Sequence, residues 1–274
     1  MAGFSPALDP RGLLASKRWV VRPRRVADPG LRVFCFPHAG AGAAAFTPWA
    51  GRLLPDAELC AIRFPGRENR IDEAPFEDLS SLITVLEQAI VPLTDRPFAF
   101  AGHCSGSVVA LELAHRLRGN GRALPAALFV SSIAGPTRRT SEAIHLLPRE
   151  AFFDRVARYG GIDSAVLADP EVMDVFEATL RADFRLVEES RHVPEEPLPV
   201  PIVAVGGRSD PFVTFDDLAA WRAATSEAFS LHHVDAGHFV LDQVMERITD
   251  ALPGLLRRAG RDGGGRQARD HQPV

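Results

Sequence analysis

Short runs of apolar, β-branched and aromatic residues alternate along the chain with longer segments whose apolar positions recur every three or four residues. The runs predict strands near 31–36, 58–63, 98–102, 127–133, 201–206 and 229–234. The periodic segments predict helices near 43–54, 78–92, 105–119, 216–225 and 239–258, each with one apolar face. Such alternation is the signature of βαβ units, so the chain reads as an α/β protein with a mostly parallel central sheet flanked by helices. The rhythm breaks between about 137 and 197. That interval carries helical pieces (Arg149–Tyr159, Pro170–Leu180, Ala182–Glu189) and no convincing strand, which predicts a helical lid inserted between two sheet strands. Phe152, Phe153, Val166, Leu167, Phe176 and Phe184 are its candidate pocket-lining residues, although amphipathic helices use such positions more often for plain packing. Gly160-Gly161 fits a hinge or a helix C-terminus equally well. Residues 18–259 form the folded domain in this reading, and 1–17 and 260–274 are expected to be disordered tails.

A length of 274 residues and a 46% hydrophobic content suit one large core, and a net charge of −4 gives no signature of polyanion binding. Nucleic acid is therefore not an expected partner. The three cysteines include no CxxC and follow no secretory leader, which predicts free thiols in a reducing, cytoplasmic setting. No apolar run approaches the roughly 18 residues of a membrane span, so the expectation is a soluble chain with no membrane partner.

Gly102-His103-Cys104-Ser105-Gly106 lies between the apolar run Phe98-Ala99-Phe100-Ala101 and the helix-like stretch Val108–Ala114. This is the form of a nucleophile elbow, a sharp strand-to-helix turn that crowds the positions two before and two after the nucleophile and demands very small residues there. Only Cys104 has glycine at both places. A frame centred on Ser105 puts His103 and Ser107 there, and one centred on Ser107 puts Ser105 and Val109. The competing reading is a buried structural cysteine, which suits Cys35 and Cys60 inside their apolar runs. Cys104 instead stands near a helix N-terminus that favours thiolate.

A thiol nucleophile needs a base, and the base needs an orienting acid. Asp210 follows the apolar run 201–205 in the loop Gly206–Pro211, and His238 follows the run 231–234 in Asp235-Ala236-Gly237-His238-Phe239. Both loops sit at C-terminal strand ends, where open parallel sheets gather their sites. Of the nine histidines, His232 and His233 fall in a strand, His115 and His145 on helices, His192 in the insertion and His271 in the tail, while His103 leaves the elbow on another side. His238 is the preferred base. Asp235 competes with Asp210 as its partner, and Asp210 also fits a simple turn aspartate before proline. An oxyanion hole would take the backbone N–H of Ser105 and one from the loop Phe36–Gly42, with Ala39 preferred and Gly40 second. That loop lacks the GxGxxG and GK[ST] patterns of phosphate cradles. Arg67 and Glu68 are candidates to shape the entrance, with a loop ion pair as the plainer reading.

With these residues in place the chain resembles the type II thioesterases that accompany polyketide synthases and nonribosomal peptide synthetases. The likeness runs from about Arg32 to Leu241 through Phe34–Gly40, Phe64-Pro65-Gly66-Arg67-Glu68, the elbow, Leu180-Arg181-Ala182-Asp183-Phe184, Gly206-Gly207 with Asp210-Pro211, and Gly237-His238-Phe239. It implies an α/β-hydrolase fold with a helical lid. It also implies a substrate held as a thioester on the phosphopantetheine arm of an acyl or peptidyl carrier protein. A monomer that uses neither cofactor nor metal is the accompanying expectation. The family's catalytic serine, aspartate and histidine fall on Cys104, Asp210 and His238. Cysteine at the first position departs from the family pattern. A cysteine acyl-enzyme is itself a thioester, nearly isoenergetic with the substrate, so transfer to a second carrier competes with hydrolysis as the outcome. Hydrolysis is the expectation because the rest of the chain follows the hydrolytic family, and a carrier-binding protein without turnover is the third alternative.

Overall fold

Along Leu31–Phe36 (β2) the side chains alternate as strand geometry requires: Leu31, Val33 and Cys35 enter one apolar core, Phe34 and Phe36 the other. A strand buried on both faces belongs at the centre of a covered sheet. The computed structural model describes residues 16–138, 143–162, 169–190 and 196–267 and contains a seven-stranded sheet. Its strands are Val20–Val21 (β1), β2, Ala57–Ile62 (β3), Phe98–His103 (β4), Leu128–Ser131 (β5), Ile202–Gly207 (β6) and Phe229–Val234 (β7), in the order β1-β3-β2-β4-β5-β6-β7. All neighbours are parallel except β1, which pairs antiparallel with β3 at the edge.

Helices Leu79–Ile90 (α1) and Ser105–Gly119 (α2) cover the face that holds Phe34, Phe36 and Phe100, and Asp78 caps α1 by accepting the Ser81 N–H. The short helical segments between Ala43 and Leu53 and the terminal helix Leu241–Gln267 (α6) cover the other face. Among the described residues no helix is long and apolar enough to cross a membrane.

The expected lid carries Arg149–Tyr159 (α3) and Pro170–Glu188 (α4), packed around Ile144, Phe152, Val156, Met173 and Leu180. Asp169 caps α4 through the Glu171 and Val172 N–H groups, with Pro170 in the first turn. The sequence suggested two helices here. The helix runs unbroken through Arg181, because Arg181-Ala182 contains no residue that disfavours a helix.

Other differences from expectation have local causes. Residues 43–49 are 3₁₀ rather than α-helical, with Pro48 unable to donate a helical hydrogen bond. The predicted helix 216–225 divides into Phe215–Ala219 (α5) and a 3₁₀ turn at 220–224. The boundaries expected for the tails shift as well. Ser16 is buried and its hydroxyl donates to the Ala89 carbonyl, and α6 continues to Gln267, eight residues into the segment expected as tail. The remaining tail residues, together with Val166, Leu167 and His192, lie outside the described residues.

Candidate active site

β2, β4, β5, β6 and β7 end along one sheet edge, in register as Phe36↔Gly102, His103↔Ser131 and Gly207↔Val234. The loops that follow them bring together all five residues expected to form the site. At the centre is Cys104, with φ 49° and ψ −122°, a conformation that L-residues rarely adopt. The flanking glycines are steric necessities. A Cβ at Gly102 would lie 2.4 Å from the Ser107 Cα, and one at Gly106 would lie 2.1 Å from the Phe36 carbonyl oxygen.

Neighbouring β5 holds the turn in place: the Cys104 N–H donates to the Ser131 carbonyl at 2.8 Å, and the Ser107 hydroxyl accepts the Ser131 N–H at 3.1 Å. The Ser131 hydroxyl donates to the Gly102 carbonyl at 3.2 Å, so it accepts from Nδ1–H of His103 at 2.9 Å. His103 is fully buried, and among the described residues its Nε2 has no partner.

His238 lies in the loop between β7 and α6, and its backbone carbonyl accepts the hydroxyl of Ser132 at the end of β5. Its Nδ1 donates to Asp210 Oδ2 at 2.8 Å, while Asp210 Oδ1 accepts the Phe212 N–H at 2.9 Å. This fixes the tautomer and leaves Nε2 for the Cys104 side of the shared cavity, where the interaction with Cys104 raises the imidazole pKa. Burial lowers the His238 pKa, but the hydrogen bonds to Asp210 and Cys104 outweigh it and hold the imidazole at about 9. Asp235 plays no part, since its side chain is 93% exposed and pairs with Arg208 at 3.0 Å.

In the loop after β2 the Gly40 N–H donates to Asp183 and the Ala41 N–H to the His38 carbonyl. Among the described residues the Ala39 N–H has no acceptor, and Ser105 N–H opens α2, where the helix supplies none. Gly40, the second choice as donor, is therefore occupied elsewhere. Arg67 is not paired with Glu68, as a loop ion pair would have it. It reaches Asp183 on α4, and Glu68 accepts the Ala44 N–H.

Two cavities meet at the sulfur. One of about 460 Å³ has apolar walls that include Val156, Met173, Phe176, Leu180 and Phe184. The other, of about 180 Å³, leads past Arg155, Ile144 and Phe212. Of the predicted lining residues Phe176 and Phe184 face the larger cavity, whereas Phe152 and Phe153 pack within the lid. Gly160 caps α3 with φ 78°, which is the helix-terminus reading, and Gly161 packs against the Phe239 ring.

Sequence reasoning missed Tyr159, which stacks on Phe212 at 4.1 Å and meets His238 edge-on at 4.8 Å. It is the only tyrosine in the chain and precedes the glycine pair, a signal that was available. Also missed was His38, 5.2 Å from His103 and held to about 4 by burial and by the charge of His238; the same causes lower His103.

This edge, with its elbow and acid-then-histidine order, defines an α/β-hydrolase. Residues 31–255 match the thioesterase-domain family, and the chain belongs to that family. It is 37% identical over 241 residues to the gramicidin S biosynthesis protein GrsT of Aneurinibacillus migulanus, covering 88% of this chain and 94% of GrsT. Among solved structures it resembles the type II thioesterase BorB from the borrelidin biosynthetic cluster (TM-score 0.78, 32% identity, 87% of this chain and 97% of BorB). It also resembles ClbQ from the colibactin NRPS/PKS pathway (TM-score 0.75, 27% identity, 84% and 98%).

Gly106→Ala is expected to lower the unfolding free energy by about 2–3 kcal/mol, because the clash is with backbone; denaturant melts with a wild-type midpoint would contradict it. Cys35 and Cys60 are fully buried with their thiols pushed up by burial, so iodoacetamide should modify Cys104 first, and equal rates at all three count against the site. His38 is held below its ordinary 6.5, so the stability it contributes is complete above 6.5 and lost as pH falls through about 4. His238 has the opposite sign: its contribution is complete below 6.5 and lost as pH rises through about 9. His38→Gln should therefore flatten the acid limb of stability against pH, measured by denaturant midpoints, and leave the alkaline limb in place. An unchanged acid limb would refute the assignment.

Proposed function

We propose that this protein hydrolyses acyl or aminoacyl thioesters on the phosphopantetheine arms of carrier proteins in a polyketide or nonribosomal peptide pathway, through an acyl-enzyme on Cys104. The observation that carries this reading is the relay Asp210–His238–Cys104 beside two unengaged N–H groups, at the mouth of an apolar cavity. The likeness to a gramicidin S biosynthesis protein, to a type II thioesterase of the borrelidin cluster and to ClbQ of the colibactin NRPS/PKS pathway supports a carrier-bound substrate class.

The Cys104 sulfur attacks the thioester carbonyl carbon, and the Ala39 and Ser105 N–H groups receive the developing oxyanion. The bond from carbon to the pantetheine sulfur breaks, and His238 gives its proton to the departing thiol. Acylation ties up the Cys104 sulfur and so removes one of the two interactions that keep His238 protonated. Burial then favours the neutral imidazole, which takes a proton from water as the water attacks the acyl-enzyme. The carbon–Sγ bond breaks with its electron pair returning to the sulfur, which again stands beside protonated His238, and a free acid leaves. Asp210 keeps the imidazole oriented throughout. These groups move every proton and electron pair in the sequence, so no cofactor enters it.

One observation favours a second reading. The nucleophile position carries sulfur, so the acyl-enzyme remains a thioester that a second carrier thiol attacks as readily as the first donated. In that case the outcome is acyl transfer between carriers.

Incubation with an acyl-loaded carrier, followed by mass spectrometry, is expected to yield free acid without a second carrier. Acyl groups appearing only on an added carrier would establish transfer instead, and neither product would leave a binding protein. Cys104→Ala should lose at least about 100-fold in turnover with an unchanged melting profile, and near-wild-type turnover would remove Cys104 from the mechanism. Cys104→Ser should retain measurable hydrolysis and lose transfer; strong transfer by that variant contradicts the account of why sulfur stands there.

A further inference from the structure

Asp183 stands on α4, 6% exposed, 143 residues from the loop it touches. Its Oδ2 accepts the Gly40 N–H at 2.8 Å and Nη1 of Arg67 at 2.7 Å, and its Oδ1 accepts Nη2 of Arg67 at 2.9 Å. Arg67, 2% exposed, also donates to the Ala41 carbonyl at 3.0 Å and the Pro65 carbonyl at 3.1 Å. The loop 38–42 is thus held from both sides, its Gly40 at φ 76°. The peptide plane that carries the Gly40 N–H begins at the Ala39 carbonyl carbon, so binding that N–H sets ψ of Ala39. The Ala41 N–H closes a turn on the His38 carbonyl at 3.0 Å. Together these bonds fix the direction of the remaining N–H, that of Ala39.

The same helix forms a wall of the larger cavity through Met173, Phe176, Leu180 and Phe184. Leu180 packs against Gly40 so closely that a Cβ there would lie 2.6 Å from its Cδ2. Thr179, one turn before Asp183, donates to the Gly66 carbonyl at 2.9 Å, so α4 is fastened to both loops. We infer that Asp183 is a positioning residue for catalysis: it joins the acyl-binding wall to the oxyanion loop and aims the Ala39 N–H at the carbonyl held on Cys104. α4 is then a fixed part of the catalytic frame. This inference rests on the proposed thioesterase reading of the site.

The prediction separates transition-state from ground-state binding. Asp183→Asn keeps the volume but loses the charge and one of the three acceptor contacts. It should lower kcat by about 10- to 100-fold, the range for a displaced oxyanion donor, with KM within about threefold of wild type. Affinity for an acyl aldehyde, which forms a tetrahedral hemithioacetal on Cys104, should fall by the same factor as kcat/KM, while affinity for the free acid should hold. The paired variant Asp183→Asn with Arg67→Gln removes the unbalanced buried charge and should show the same pattern. Wild-type kcat in either folded variant, or lost turnover with undiminished aldehyde affinity, would overturn the inference.

A measurement on the wild-type enzyme does not depend on a variant's folding. By NMR hydrogen exchange the Gly40 amide should be protected in the free enzyme, and that of Ala39 only after the aldehyde binds. A Gly40 amide that exchanges as fast as Ala39 in the free enzyme would overturn the inference by itself. A wild-type enzyme that neither turns over acyl-carrier nor binds the aldehyde would instead overturn the thioesterase reading.

Discussion

The backbone at Cys104 has to occupy a conformation that costs about 1–3 kcal/mol, and much of the surrounding sequence serves to hold it there. Two glycines let the strand and the helix approach within van der Waals contact on either side of the turn. Ser131 on the next strand then holds it, accepting the Cys104 N–H on its carbonyl and donating its own N–H to the Ser107 hydroxyl on the helix side of the turn. The parallel register along that edge places the loop 38–42, Asp210 and His238 around the sulfur without any long side chain having to reach far. Were the turn to relax, the sulfur would leave the hydrogen bond with His238, and the apolar cavity would open onto an inert thiol.

The electrostatics of the site follow from the same compactness. Three imidazoles lie close together, with ring centroids 5.2 Å apart for His38–His103 and 5.6 Å for His103–His238. Only His238 has an anion on its Nδ1 side and a sulfur on its Nε2 side, so it keeps its proton while burial leaves the other two neutral. Two further cations near His238 would oppose the proton it holds. Their neutrality makes the proton inventory of the site that of a single pair.

What was legible in the sequence was local. Apolar runs marked six of the seven strands; β1 was missed because two residues at an antiparallel edge leave no periodicity to read. The elbow was legible because its steric demand is met within five residues, and Asp210 and His238 because each follows an apolar run in the order the sheet imposes. Long-range partners left no trace. Arg67 and Asp183 are 116 residues apart, and no spacing rule links a loop arginine to an aspartate on a later helix. The pocket walls were half legible for a related reason. Phe176 and Phe184 face the cavity and Phe152 faces inward, which depends on how α3 settles on α4 and not on either helix alone.

The central claim is that sulfur at position 104 carries the acyl group. Rapid-quench intact-mass and peptide-mapping analysis of the enzyme mixed with acyl-loaded carrier tests it most directly. The account predicts an adduct of one acyl group, located on the peptide containing Cys104, that is cleaved by hydroxylamine at neutral pH as a thioester is. An adduct on Ser105 or Ser107, or product formation with no adduct at any quench time, would contradict it.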